Sequence, residues 1–469
     1  MAKLVVYPQN QPLFGKVSVP SDKSIGHRAL LFASLCEGTS IIKRFSYGED
    51  NVSTANAMRA MGVVIDDVDE AGSPRTGQSP ERPNSPNNNE GELRVHGKGL
   101  FGLKAPTAKL DCGNSGTTMR LLAGILAGQH FASTLIGDAS LSRRPMMRVV
   151  GPLRSRGAII DGNPHPTKAH DLLPPLRIGA RKEGSFLSGL DYDSPVASAQ
   201  VKSAILLSGL YSRDATLFTE PELSRDHTER MMYALGVPLR SIGSYLVLDP
   251  ANWNGVMPAF DIEIPGDPSA AAFLVAAAQI VPGSRVAVSG VGTNPTRTGL
   301  FSVLQSMGGG IEIAPQGDQA GEPVGEITSW SSELRSTGGI CGDIIARAID
   351  EIPIACALAA RASGTTTVRD AAELRVKESD RIATMVSVLR AFGVACKETR
   401  DGLDIEGTSA KLLPATIDSR GDHRIAMTAV VLALLGQGPS TITDCGCIAT
   451  SFPGFVATLR ALGARIDVS

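Results

Sequence analysis

The stretch PSDKSIGHRAL (residues 20–30) sets Asp22, Lys23 and Ser24 at the mouth of a predicted helix, with Arg28 one turn further on. A cation at a helix N-terminus faces the positive end of the backbone dipole and loses a few tenths to about 1 kcal/mol. The placement makes sense where an anion sits between the cation and the free backbone N–H groups. The alternative is a solvated helix whose Lys and Arg touch nothing. DCGNSGTTMRLLAGILAG (111–128) repeats the pattern: a Gly-Asn-Ser-Gly turn runs into an apolar helix carrying Arg120. Small residues there let successive N–H groups form an anion-binding concavity, although the Gly-Lys-Ser/Thr of a P-loop is missing. DSRGDHRIAMTAVVLALL (418–435) offers Asp422 as N-cap with His423 and Arg424 in the first turn. SPVASAQVKSAILLSGL (194–210) brings Ser194, Ser198, Gln200 and Lys202 to another helix start, and DASLSRRPMMR adds Arg143, Arg144 and Arg148.

Acids lie among these cations. In LRVKESDRIATMVSVLRAFG (374–393) the apolar stripe Ile382, Met385, Val386, Leu389 has helical spacing. Four residues back from Ile382 is Glu378, which would continue the buried stripe and could pair with Arg381. It could equally sit in a fraying first turn. A partly buried Glu beside Lys377 and Arg381 would be tuned for proton transfer. AIDEIPIACALAARA (348–362) sets Asp350 and Glu351 ahead of another apolar helix, where one of them could be only a cap. A solvated explanation must hold several times over. A cleft lined by helix N-termini and Arg/Lys, built for phosphates or carboxylates, is more economical.

The elements that must hold such a cleft repeat. Six times the end of an amphipathic helix meets a Gly and then a β-branched stretch, at Gly62, Gly157, Gly236, Gly308, Gly393 and Gly463. A Gly fits a helix C-cap in the left-handed region. A spacing of about 70 to 95 residues is too long for a thin solenoid and predicts repeated α+β units, three to each half. Residues 71–91, rich in Pro, Asn and Ser, cannot bury a core face and are expected to be a disordered hairpin insertion.

The bulk composition agrees with an ordinary soluble protein of two or three domains: 469 residues, 42% hydrophobic, 20% charged, net charge -2. Without a basic field, and with 4% aromatics, nucleic acid is not an expected partner. The start lacks a signal-peptide pattern and the longest apolar runs are too short for a bilayer, so a cytoplasmic protein with no membrane association is expected. Seven scattered Cys, with no CxxC, point away from disulfides and from a zinc site. No metal is implied.

Eleven motifs, in order, resemble those of the 5-enolpyruvylshikimate-3-phosphate synthases in the enolpyruvyl transferase family: SDKSIGHR, GNSGTTMR, GDASLSRRPM, ASAQVKSA, SRDHTERM, PGDPSAAAF, NPTRTG, IDEIPI, LRVKESDR, DHRIAM and IATSFPGF. They cover nearly the whole chain outside 71–91. The resemblance implies an α/β (α+β) fold: two similar domains, each of three repeated βαβαββ-type units with helices inside a shell of strands, an inside-out α/β barrel. The active site would lie in the interdomain cleft. The chain would cross between domains near residues 20 and 250, giving one domain of 1–20 plus 250–469 and a second of 21–249. The implied reaction moves the enolpyruvyl group of phosphoenolpyruvate to the 5-hydroxyl of shikimate 3-phosphate by addition and elimination, releasing phosphate, without a cofactor, in a monomer.

By the same resemblance, shikimate 3-phosphate would meet Lys23, Ser24, Arg28, Ser198, Ala199, Gln200, Arg225, Asp350 and Lys377. Phosphoenolpyruvate would meet Lys23, Gly116, Arg144, Gln200, Arg381 and Arg424. Asp350 would be the base on the 5-hydroxyl, and Glu378 with Lys23 would handle the proton at the methylene carbon. Thr450 stands where some members have Lys, so that Lys's role is absent or supplied elsewhere. Gly116 stands where some glyphosate-tolerant members have Ala, which implies sensitivity to that inhibitor. The sister transferase acting on UDP-N-acetylglucosamine is the nearest rival, but it has Lys-Asn in place of Lys23-Ser24 and a reactive loop Cys, whereas Cys112 lies in the Gly-rich turn. A non-catalytic phospho-ligand sensor would gain nothing from the acids Asp350 and Glu378.

Overall fold

The computed structural model describes residues 3–68, 90–243 and 245–469. It contains six four-stranded sheets. The unit 190–248 shows the repeat undisturbed. Strand Leu190–Asp193, helix Ala199–Gly209 and strand Thr216–Thr219 make a parallel crossover, and helix His227–Ala234 leads into the hairpin Leu239–Ile242, Tyr245–Leu248. The fourth strand lies beside the second, so the order is first, second, fourth, third. This is the expected βαβαββ unit.

Burial follows composition. The helix Pro268–Ile280, PSAAAFLVAAAQI, is apolar all round, and all its residues are buried. Helices Ile352–Ala359 and His423–Ala433 pack with it inside one lobe, while Lys23–Leu35, Gly116–Leu126 and Ala199–Gly209 fill the other. The sheets form the outer shell. All six repeat glycines have positive φ, from 72° at Gly236 to 108° at Gly463.

Two strands exchange places between the lobes. Phe14–Val17 joins the sheet of Arg285–Gly292 in the second lobe, after which the chain enters the first lobe at Lys23. Strand Asp261–Glu263 pairs in parallel with Thr39–Ser46 of the first lobe, and Met257, Ile262 and Ile264 sit in that lobe's core. The return passage therefore falls between Ile264 and Ala270, later than the expected position near 250. The two passing segments bond to each other: Asp22 N–H donates to Pro265 O at 2.8 Å and Asp267 N–H to Pro20 O at 2.7 Å.

Most of the expected insertion 71–91 lies outside the described residues. Its last two, Glu90 and Gly91, instead open the strand Glu90–His96, whose pairing with Val64–Val68 explains why both flanks read as strands. Among the described residues, no helix is long and apolar enough to cross a membrane.

Candidate active site

The candidate side chains sit at the starts of inner helices of both lobes, several of which are capped by the residues before them. Asp22 accepts from the N–H groups of Ser24 (2.7 Å) and Ile25 (3.1 Å), leaving Lys23 and Ser24 in the first turn. Lys23 Nζ is 2.7 Å from Asp50 Oδ2. Arg28 is buried at the head of this helix. Its Nε donates to Thr228 Oγ1 and its Nη2 to Ser203 Oγ, both at 2.7 Å. Burial lowers its pKa to about 10, so it remains a cation at neutral pH. Thr228 and Ser203 fix this guanidinium, and nothing in their local sequence distinguished them from helix-face residues.

Ser115 and Ser198 cap the next two inner helices, accepting from Thr118 N–H at 3.1 Å and Val201 N–H at 3.5 Å. Gly116 and Ala199 are the first residues of those helices. Between them, Gln200 donates to Thr117 Oγ1 (2.9 Å) and accepts from Arg120 Nη1 (2.6 Å). Arg144 Nη2 donates to Asn114 Oδ1 (2.5 Å), and its Nη1 lies 3.3 Å from where a Cβ on Gly116 would stand. Gly116, Arg120, Arg144 and Gln200 therefore share one corner of the first lobe.

Lys202 departs from this pattern. It is fully buried inside the lobe, 2.7 Å from Glu220 Oε1 and 2.8 Å from Glu229 Oε1. Three residues after the first in its helix, it faces the core and not the cleft.

The second lobe contributes an acid surrounded by cations. Asp350 accepts from Arg225 of the first lobe, and lies 3.4 Å from Arg381 Nη1 and 3.7 Å from both Lys377 Nζ and Arg424 Nη2. Burial pushes against ionisation, but Arg424, Lys377, Arg225 and Arg381 together hold its pKa well below the usual carboxylate range. Neither Asp350 nor Glu351 caps the following helix with its side chain. Glu351 turns inward, where Ser269 Oγ donates to it.

Glu378 corrects the sequence expectation. The helix begins only at Arg381, capped by Asp380, so Glu378 lies on the preceding segment and does not extend the buried stripe. Its side chain is 46% exposed. The expected partner is present: Arg381 Nη2 donates to Glu378 Oε2 at 2.6 Å. Desolvation opposes the charge, yet the Arg381 guanidinium lowers the Glu378 pKa. The acid is therefore ionised in the ligand-free protein. Arg381 also donates through Nε to Asp422 Oδ2 at 2.8 Å, and Asp422 caps the Arg424 helix as expected. His423, desolvated and next to Arg424, has its pKa lowered to about 3 and is neutral.

The structure brings Asp350 together with Arg225, Lys377, Arg381 and Arg424, and Gly116 together with Arg144 and Gln200, whereas Lys202 and Glu351 turn inward. Sequence reasoning missed Asp50, the partner of Lys23, and Arg297, whose Nη1 reaches Asp22 Oδ2 (3.2 Å) and Nη2 reaches Asp267 Oδ1 (2.9 Å). Arg297 lies within the motif NPTRTG, which marked the segment without giving its purpose. Thr450 ends a short turn, its Oγ1 donating to Cys447 O at 2.7 Å.

The chain is similar to known proteins over nearly its whole length. The sequence pattern of the EPSP synthases (3-phosphoshikimate 1-carboxyvinyltransferase) matches residues 8–459. A 3-phosphoshikimate 1-carboxyvinyltransferase from Geobacter sp. (strain M21) is 50% identical over 452 residues, 96% of this chain and 97% of the relative. One from Geobacter sulfurreducens is 46% identical over 99% of this chain and all of its own. The structure of an EPSP synthase from Acinetobacter baumannii is similar with a TM-score of 0.86 at 40% identity, over the whole of both chains. The enolpyruvyl transferase NikO from Streptomyces tendae, at 16% identity and a TM-score of 0.73 over 100% of this chain and 99% of its own, shares the fold. Two lobes of βαβαββ units, a cation-lined cleft between them and full-length identity of this order lead to one conclusion: the chain belongs to the EPSP synthase family.

Proposed function

We infer that this chain transfers the enolpyruvyl group of phosphoenolpyruvate to the 5-hydroxyl of shikimate 3-phosphate, as a 3-phosphoshikimate 1-carboxyvinyltransferase. The observation that carries the residue roles is Asp350, an ionised carboxylate of the second lobe in contact with Arg225 of the first. Shikimate 3-phosphate is bound by Lys23, Ser24, Arg28, Ser198, Ala199, Gln200, Arg225 and Lys377, with its 5-hydroxyl at Asp350. Phosphoenolpyruvate is held by Arg144, Gln200, Arg381 and Arg424 over Gly116, with Lys23 shared.

In the addition step Asp350 accepts the hydroxyl proton as the oxygen bonds to C2 of phosphoenolpyruvate, and the Lys23 ammonium supplies a proton to the methylene carbon. In the elimination step Glu378, ionised beside Arg381, takes a proton from the resulting methyl group as the C2–O bond to phosphate breaks. The arginines stabilise the phosphate charge throughout. The same reading carries a cytoplasmic monomer with small-molecule substrates. The rival sugar-nucleotide acceptor is disfavoured by Cys112, which is buried with its thiol pKa raised and so is no reactive loop nucleophile.

The test is inorganic phosphate release from phosphoenolpyruvate without added metal, with shikimate 3-phosphate in one tube and UDP-N-acetylglucosamine in another. Release with shikimate 3-phosphate alone is expected. Release with the sugar nucleotide alone, or with neither while binding persists, overturns the reading.

A further inference from the structure

Glu351 is an acid near Arg424 that the reaction as derived does not use. Its neighbour Asp350 turns to the cleft, whereas Glu351 is 2% exposed and turns toward the start of the Pro268–Ile280 helix. Its Oε1 accepts from Ser269 Oγ and lies 3.7 Å from Arg424 Nη1. Its Oε2 is buried with no hydrogen-bond partner among the described residues. Leaving a buried carboxylate oxygen unsatisfied is costly, so an apolar or neutral residue would serve packing better.

The contacts continue beyond Ser269. The same hydroxyl accepts from Arg297 Nη2 at 2.8 Å, and Arg297 holds Asp22 and Asp267 on the two segments that pass between the lobes. Asp22 in turn caps the helix of Lys23, Ser24 and Arg28. An unbroken line of charged and hydroxyl contacts therefore joins Arg424, through Glu351, Ser269 and Arg297, to both interlobe passages.

We propose that Glu351 is a positioning residue for Arg424, and that the Glu351–Ser269–Arg297 line ties the seat of that arginine to the interlobe passages. The inference rests on the assignment of Arg424 to phosphoenolpyruvate. Arg424 Nη1 already donates to Asp350 O at 2.8 Å, and its Nη2 lies 3.7 Å from the Asp350 carboxylate. Glu351 sets a second carboxylate near the same guanidinium, 3.7 Å from Nη1. Without it, Arg424 is drawn onto the Asp350 carboxylate and away from the anion it should receive.

Two substitutions separate the parts. Glu351→Gln keeps an acceptor for Ser269 and removes the charge facing Arg424. Ser269→Ala keeps the charge and cuts the link to Arg297. In the phosphate-release assay, Glu351→Gln is expected to raise KM for phosphoenolpyruvate by about tenfold or more, the order that misplacing one oriented group produces, with KM for shikimate 3-phosphate within about twofold and Glu351→Asp recovering part of the loss. The parent protein is expected to compact in small-angle scattering on adding shikimate 3-phosphate, and Ser269→Ala to compact less while keeping KM for phosphoenolpyruvate near the parent value. A parent that does not compact overturns the link. An unchanged or lowered KM for phosphoenolpyruvate in Glu351→Gln overturns the positioning role. Full compaction in Ser269→Ala overturns the link. A loss of melting temperature with both KM values rising together means that Glu351 only supports the fold, and also overturns it. An inactive parent protein would defeat the assigned reaction itself, so the two failures are distinguishable.

Discussion

Gly116→Ala adds one methyl group where the end of the Arg120 side chain must shift to make room. Gly116 has an ordinary helical φ, so the backbone accepts Ala without strain. Gly116 is the first residue of its helix, so the advantage of Ala over Gly in a helix interior, up to about 1 kcal/mol, applies only in part. The new Cβ would stand 2.6 Å from Arg120 Nη1 and 3.3 Å from Arg144 Nη1, against 3.4 Å for an ordinary contact. Arg120 Nη1 must move, and it is the atom that donates to Gln200 Oε1 at 2.6 Å. Hydrogen bonds from charged donors contribute roughly 1.5–3 kcal/mol. Arg120 keeps Pro145 O at 3.4 Å as a partial alternative, which favours the lower end.

A loss of about 1–2 kcal/mol corresponds to a fall of roughly 5- to 30-fold in kcat/KM for phosphoenolpyruvate. The assay is phosphate release with phosphoenolpyruvate varied at saturating shikimate 3-phosphate, repeated across a glyphosate titration. The inhibition constant should rise with the same substitution, because the inhibitor would share this corner. A kcat/KM within twofold of the parent together with an unchanged inhibition constant would refute the steric reasoning.

Asp350→Asn should lower kcat by about 10²- to 10⁴-fold, the usual range for a lost general base, without abolishing shikimate 3-phosphate binding by isothermal titration. The same variant tests the pH dependence. A carboxylate with a lowered folded-state pKa contributes stability above its unfolded value near 3.9, which is lost as the pH falls through the folded value. Denaturant midpoints of the parent protein should therefore drop more steeply below about pH 4 than those of Asp350→Asn; parallel curves would contradict the electrostatic account. Lys202→Met should cost about 3–5 kcal/mol by leaving Glu220 and Glu229 buried without their cation. It should leave KM values unchanged in the folded fraction, and calorimetry with kinetics decides it. A stable variant with altered KM would return Lys202 to the cleft.

The repeat was legible because each unit ends its second helix on a Gly that must take positive φ, a local requirement visible in one sequence. The apolar helices were legible for a related reason: a segment such as PSAAAFLVAAAQI has no polar face to show to water. The N-cap Asp422 was readable from position alone. Glu378 was misjudged because helical periodicity was carried across Asp380, whose side chain accepts from Ala383 N–H and starts the helix later. Lys202 was misjudged because a cation near a helix start points either way, and its buried partners Glu220 and Glu229 lie 18 and 27 residues on. The return passage was placed early because the strand Asp261–Glu263 is too short to announce its partner. The links from Asp22 to Arg297 and from Arg225 to Asp350 join residues far apart in the chain, which no local pattern encodes.

The strand Leu4–Val6 lies between Ser440–Thr443 and Ile466–Val468, antiparallel to both. During synthesis it is made more than 400 residues before its partners. Strand Asp261–Glu263, by contrast, completes the sheet of Thr39–Ser46 when little more than half the chain has been made. The first lobe can thus close while its host is still being translated, since domains generally fold as units in N-to-C order. The second lobe seals around a segment kept waiting for nearly the whole chain. A chain stalled at that stage would then carry one finished lobe and a leading segment still without its partner strands.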